Sequence, residues 1–202
     1  DGYVYVEALG KAAKENIIAT LQQSEEEFAG GVVAAANHLA ALCPNVELVT
    51  LLGNAEEKNN FEELVRKSLS KTVTIEPIYR SEGPTVTKTR FVEPTYVRKL
   101  FEVYDMNDEP PTEEVQEEFQ TALREKLPHV DLVIVCDFGH GFLRPDTVAL
   151  LESEAKLLAV NAQSNAGNIG FNLISKYRRA DFVCVDALEA RLAAHQKHLP
   201  LD

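Results

Sequence analysis

Hydrophobic positions along this chain change their period as it proceeds. Val46 to Leu52 form an apolar, strand-like run that stops at Gly53, and from about residue 55 to 69 Phe61, Leu64, Val65 and Leu69 recur at helical spacing. A strand and then a helix are expected there. Just before them Gly30-Gly31 opens into Val32 to Leu42, a stretch of small residues that predicts another helix. In the middle third, Thr72 to Tyr79, Thr85 to Val92 and Val97 to Asp105 alternate instead of clustering. Alternation implies strands with one wet face, so an antiparallel flap over about 72–105 is expected, with turns at Ser81-Glu82-Gly83-Pro84 and Glu93-Pro94-Thr95.

Pro110-Pro111-Thr112-Glu113-Glu114 predicts a helix start, with Thr112 as cap and two carboxylates where the helix dipole favours them. Val115, Phe119, Ala122, Leu123 and Leu127 make its buried stripe, and the acidic run Asp105 to Glu118 reads as a solvated loop and helix face. Beyond it strands and helices alternate. Val130 to Cys136 reads as a strand buried on both faces, Asp146 to Lys156 as helix, Leu157 to Val160 as strand, Asn172 to Tyr177 as a short helix, Asp181 to Val185 as strand and Ala187 to His195 as helix. That order predicts an α/β fold with a parallel sheet covered by helices.

The length of 202 residues supports a sizeable core, as one domain or one with a small appendage. A net charge of -12 argues against a nucleic-acid partner, because phosphate neutralisation needs clustered Lys and Arg. No apolar run approaches the roughly 20 residues of a membrane span, so no membrane partner is expected. Cys43, Cys136 and Cys184 are far apart and two lie in apolar runs, so they read as reduced core thiols of a cytoplasmic protein. His195 and His198 lack acidic or thiol partners nearby, and His140 reads as an exposed turn residue.

The candidate chemistry sits at the strand ends. In parallel α/β sheets ligands bind outside the carboxyl ends of the strands. Asp137, Asn161 and Asp186 each end a strand there, although each also suits a cap or turn. Asp186 and Glu189 stand one helical turn apart, which suits a hydrated magnesium ion, and a plain N-cap is the equal alternative for Asp186. On the flap, Lys88 and Arg90 share a face, with Arg98 and Lys99 opening the next strand. They read either as an anion site or as a salt-bridge ladder with Glu93 and Glu102. Gly30 and Gly31, with their access to extended or left-handed backbone, bring a polar ligand close to the helix start, and the bland alternative is a turn and a helix that packs closely on a sheet.

In this arrangement the residues resemble the PfkB or ribokinase family of sugar kinases, most closely its heptose-phosphate kinase branch, which is often joined to a nucleotidyltransferase. Gly30-Gly31 with the helix containing Asn37 is similar to the signature that closes on the sugar, Pro84-Thr85-Val86-Thr87-Lys88-Thr89-Arg90 to the lid strand, and Asp137-Phe138-Gly139-His140-Gly141 to the Asp-Tyr-Gly-Lys-Gly segment. Asp186-Ala187-Leu188-Glu189 resembles the Asn-x-x-Glu motif, and Asp1 the sugar-binding aspartate. The resemblance implies a three-layer α/β/α sandwich with a mostly parallel sheet and a small β lid. It also implies ATP and Mg2+ as cofactors and a sugar or sugar-phosphate substrate. Asp1, Gly30, Gly31, Asn37, Lys88, Arg90 and Asp137 would contact substrate, Asn161, Asp186 and Glu189 the nucleotide, and the lid would serve as a homodimer contact.

The family's Gly-Ala-Gly-Asp turn, which carries its general base, does not occur in this sequence, and Ala34, Asn161 and Asp186 depart from the common residues. The resemblance therefore implies a partial kinase domain, short at both ends and inactive by itself, within an active parent. The alternative is a sugar- or nucleotide-binding regulatory module without activity. A dinucleotide-dependent dehydrogenase is disfavoured, because no G-x-G-x-x-G follows a strand.

Overall fold

A computed structural model describes residues 1–53, 61–198 and 200, and by internal contacts they divide into two units after Asn107. The first unit opens with a hairpin, β1 Gly2–Lys11 and β2 Ile18–Glu27, which the hydrophobic pattern does not announce. Val6 is the sole buried residue of β1, and β2 is exposed along nearly its whole length, so neither strand carries a one-sided apolar repeat. β1 also pairs in parallel with β5 Thr87–Glu93, and β5 pairs antiparallel with β6 Arg98–Asp105, for a sheet order β2-β1-β5-β6.

The lid therefore differs from the expected flap over 72–105. Its expected first strand, β4 Val73–Tyr79, pairs in parallel with β3 Val46–Leu52 in an unbroken register from Val46↔Val73 to Leu52↔Tyr79. Alternation reports that one face of a strand is wet, not which strand lies beside it. Behind this pair pack α1 Gly31–Ala40 and α2 Phe61–Ser68, the latter within the expected helical segment, of which residues 55–60 lie outside the described residues. Val33, Ala36, Leu48, Val65 and Val73 make their shared core. Gly53 ends β3 at a close crossing, where a Cβ would stand 2.1 Å from the Thr85 nitrogen. The Gly53 N–H instead donates to Thr85 Oγ1 at 2.8 Å.

The second unit follows the expected alternation. It comprises α3 Glu113–Lys126, β7 Val133–Asp137, α4 Pro145–Glu154, β8 Leu158–Ala162, β9 Phe182–Val183 and α5 Ala187–Ala193. The three strands are parallel in the order β7-β8-β9. The short helix expected near 172–177 is a single 3-10 turn, Ile174–Lys176. Phe119 of α3 stacks on Phe142 at 4.0 Å between centroids. Buried Gln116 ties the same region together, donating to the Phe142 carbonyl at 3.0 Å and accepting from the Thr147 hydroxyl at 3.1 Å. Thr112 holds the N-cap position of α3 without a side-chain cap hydrogen bond.

Two expectations about burial are corrected. Leu158, Val160 and Ala162 are buried, but Ile134 is 39% and Phe182 65% exposed, so β7 is not covered on both faces. Cys184, just after β9, is exposed, as is Cys43 elsewhere, and Cys136 of β7 is half-buried with its thiol pKa pushed up by burial. The thiols are free, yet they are not core residues.

Candidate functional site

Candidate residues gather on one face of the lid. Register places Tyr3 and Glu102 on either side of Arg90, and Tyr104 opposite Lys88. Arg90 Nη1 donates to Asp1 Oδ1 at 2.8 Å, its Nε lies 3.5 Å from Glu102 Oε2, and its guanidinium stands 5.3 Å from the centre of the Tyr3 ring. Lys88 Nζ sits 4.8 Å above the Tyr104 ring, and the Tyr104 hydroxyl donates to Glu102 Oε1 at 2.6 Å. Burial lowers the Lys88 ammonium pKa and Arg90 adds to that, while Glu102 opposes both. Asp1 and Arg90 thus come together across 89 positions.

Glu102 is the ladder partner of Arg90, whereas Glu93 faces Arg98 in register and is bonded mainly within its own turn. The Glu93 carboxylate accepts the backbone N–H groups of Thr95 and Tyr96 at 2.9 and 3.0 Å and shapes the β5–β6 turn. Contacts to Thr95 and Tyr96 hold its pKa below the usual value. Arg98 and Lys99 are exposed and lie opposite Glu93 and Val92, away from Lys88.

At the glycine pair the backbone of Gly30 is extended, with φ -68° and ψ -178°, and a Cβ there would meet nothing within 4 Å. Glycine is therefore not needed for an unusual angle. What Gly30 leaves is a helix start without a side-chain cap hydrogen bond. The preceding segment is tied to Asp1, since the Phe28 N–H donates to the Asp1 carbonyl at 2.8 Å and the Phe28 ring meets Tyr3 edge-on at 5.7 Å. Asn37, expected at the ligand, has both ends of its amide in use, donating to the Ser68 carbonyl at 2.8 Å and accepting from the Ser70 N–H at 2.7 Å. It clamps the exit of α2 to α1.

In the second unit Asp137 is the centre of a buried network. It is 3% exposed and its carboxylate accepts from the Gly139 N–H at 3.0 Å, the Asn172 amide at 3.2 Å and the Tyr177 hydroxyl at 2.7 Å, and it also pairs with Lys176. Burial and the neighbouring Asp137 charge both push the Tyr177 hydroxyl pKa up, burial the more. Asn172 donates further to the carbonyls of Asp137 and Gln163, and Asn168 to those of Phe138 and Gly139. Gly139 lies at φ +73°, where glycine is favoured, and a Cβ would come within 2.1 Å of Asn168 Nδ2. Of the partners, Asn172, Lys176 and Tyr177 fall in the expected short helix and Asn168 in the loop before it, and none of them marks itself as a partner of Asp137. Their one sequence signal is the recurrence of asparagine at 161, 165, 168 and 172.

Asn161, Asp186 and Glu189 sit beside this network but make different contacts. Asn161 donates to the Cys184 carbonyl at 2.7 Å and holds the end of β9. Asp186 and Glu189 form a reciprocal capping box, in which the Glu189 N–H donates to Asp186 Oδ1 at 2.7 Å and the Asp186 N–H to Glu189 Oε2 at 2.8 Å. Glu189 Oε1 accepts the Ser164 N–H at 2.8 Å. Both Glu189 oxygens and one of Asp186 are thus taken by backbone donors. Among the described residues no group of three or more His, Cys, Asp or Glu converges as a metal site. The donor set does not fit a directly ligated magnesium ion.

A parallel α/β sheet with polar strand ends and an inserted lid sheet defines the ribokinase-like fold of carbohydrate kinases, and this chain has that fold. It is similar over 95% of its length to a carbohydrate kinase from Agrobacterium tumefaciens, with TM-score 0.59, 19% identity and 59% of that chain covered. A ribokinase from Giardia lamblia matches 96% of this chain and 61% of its own, with TM-score 0.58 and 16% identity. A Burkholderia thailandensis nucleoside kinase solved with inosine matches at TM-score 0.54 and 14% identity, with 96% of this chain and 61% of that one covered. Among curated proteins, the bifunctional protein HldE of Trichlorobacter lovleyi is 25% identical over 166 residues, which is 82% of this chain and 32% of that protein. No protein-family model matches. The chain thus spans about a third of the curated relative and three fifths of these structures. No helix among the described residues is long and apolar enough to cross a membrane.

Proposed function

We propose that this chain supplies the substrate half of a carbohydrate kinase, which transfers the γ-phosphoryl group of ATP to a hydroxyl of a sugar or sugar phosphate of the heptose-phosphate type. The observation that carries the reading is the Asp1 to Arg90 pair at 2.8 Å with Lys88 two residues away. It sets a hydroxyl acceptor beside two cations on one lid face. Asp1 and the start of α1 at Gly30 and Gly31 orient the sugar, and Lys88 and Arg90 meet its anionic group. Phosphoryl transfer is mainly positioning and charge stabilisation, so such a face contributes by fixing the acceptor. Asp137 holds the loop after β8 through Asn172, and Asn161, Asp186 and Glu189 shape the nucleotide edge. ATP is the proposed phosphoryl donor and carries Mg2+ with it. The lid is the proposed contact of a homodimer, supported by Phe91 stacked on Phe101 at 4.4 Å, with Phe101 and Val103 half exposed.

The test is calorimetric titration with sedoheptulose 7-phosphate, for wild type and Lys88→Ala/Arg90→Ala, together with ATP turnover in a longer protein that contains Gly-Ala-Gly-Asp. Binding that disappears in the double variant, with turnover in the longer protein, supports the kinase reading. No turnover over a panel of sugars and sugar phosphates overturns it. The second reading, a binding module without activity, is favoured by the commitment of the Asp186 and Glu189 carboxylates to a capping box. Ligand binding without turnover in the longer protein supports that one.

A further inference from the structure

Glu102 is the junction of the lid face. Its Oε1 accepts the Tyr104 hydroxyl at 2.6 Å, the Tyr104 ring carries Lys88 at 4.8 Å, and its Oε2 lies 3.5 Å from Arg90 Nε. Two cations on β5 therefore face two carboxylates, Asp1 and Glu102. The two are held differently. Asp1 accepts a short bond from Arg90 Nη1 at 2.8 Å, whereas Glu102 stands at a distance longer than an ordinary N–H···O hydrogen bond and is drawn toward Tyr104. Arg90 and Glu102 are 17% and 35% exposed, so water reaches the pair and exchange does not require a charge to be stripped bare.

An anionic group arriving at Lys88 and Arg90 must take the place of one of these carboxylates, and the loosely held one yields first. A phosphate dianion brings more charge than the carboxylate it replaces, while a sugar carboxylate exchanges like for like and a neutral sugar offers nothing in return. We propose that Glu102 is a positioning residue that acts as a built-in counterion for Lys88 and Arg90, displaced by the anionic group of a phosphorylated sugar, so that it holds down the affinity of this face for anionic sugars and leaves neutral sugars unaffected. The inference rests on the substrate reading above. It gives a role in ligand affinity to a residue that also reads as a ladder partner.

The experiment is calorimetric titration of the protein with sedoheptulose 7-phosphate, gluconate and sedoheptulose, comparing wild type with Glu102→Gln. Removing an exposed counterion is expected to tighten sedoheptulose 7-phosphate binding about threefold to fivefold. It should tighten gluconate binding by no more than that factor, with sedoheptulose unchanged, so that the preference for anionic over neutral sugars widens. A purely structural role for Glu102 would weaken all three ligands together, and that result, or an unchanged Kd for sedoheptulose 7-phosphate, overturns the proposal. If Glu102→Gln does not fold, Glu102→Asp withdraws the carboxylate by one carbon with the charge kept, and unchanged phosphate affinity there overturns the proposal equally. Wild-type binding that needs Arg90 but ignores Glu102 sinks this inference alone. Absence of any sugar-phosphate binding sinks the substrate reading and takes this one with it.

Discussion

Gly139→Ala tests the Asp137 network most sharply. The new methyl would sit 2.1 Å from Asn168 Nδ2 and 2.7 Å from Asn172 Cβ, so both side chains must move. Asn168 is 7% and Asn172 5% exposed, which leaves little room for the shift. The backbone adds its own cost, because at φ +73° an alanine is strained by about 1–2 kcal/mol. Displacing the Asn168 amide removes its bonds to the Phe138 and Gly139 carbonyls, at about 1 kcal/mol each. The sum is about 3–4 kcal/mol. Gly170→Ala isolates the backbone part, since Gly170 has φ +82° and nothing within 4 Å of a Cβ, so it should cost only about 1–2 kcal/mol. Urea denaturation of both variants, followed by far-ultraviolet circular dichroism, measures the difference of about 2 kcal/mol. Equal midpoints for the two variants would show that the asparagines yield freely and that the network is not rigid.

Asp186→Ala should cost about 1 kcal/mol through loss of the α5 cap, and Asp186→Ser should restore most of it, as read from thermal melting. If Asp186→Ser and wild type also bind ATP equally, the capping role is sufficient for this residue. Asn37→Ala breaks the clamp on Ser68 and Ser70 and should destabilise the first unit by about 2 kcal/mol, measured by urea midpoint, with Asn37→Asp recovering only the Ser70 bond. The Tyr177 and Tyr79 hydroxyl pKa values are both raised in the folded chain, Tyr79 to about 12, whereas unfolded tyrosine ionises near about 10. Their stabilisation is complete below about pH 10 and is lost as pH rises toward the folded values, because the unfolded chain ionises first. Urea midpoints should therefore fall above about pH 10, and Tyr177→Phe should flatten that fall; an unchanged slope in the variant would contradict the buried placement of this hydroxyl.

Hydrophobic period by itself determined the elements whose burial is one-sided or complete. β3 has its expected bounds, Val46–Leu52, and α3 its stripe of Val115, Phe119, Ala122 and Leu123, because burial is what period records. The alternation after residue 130 likewise determined a parallel sheet, and the ordered motifs pointed to the ribokinase-like fold that the structural neighbours share. Tertiary structure decided the rest through long-range pairing. β4 pairs with β3 rather than the lid, and β1 and β2, too exposed to show a period, complete that lid. It also decided what each carboxylate does. A local spacing of three residues suits a metal pair and a capping box alike, and the backbone donors at Asp186, Glu189 and Ser164 select the box. Arg90 meets Asp1 only because β1 and β5 are neighbours, a contact between residues 89 positions apart that no local pattern encodes.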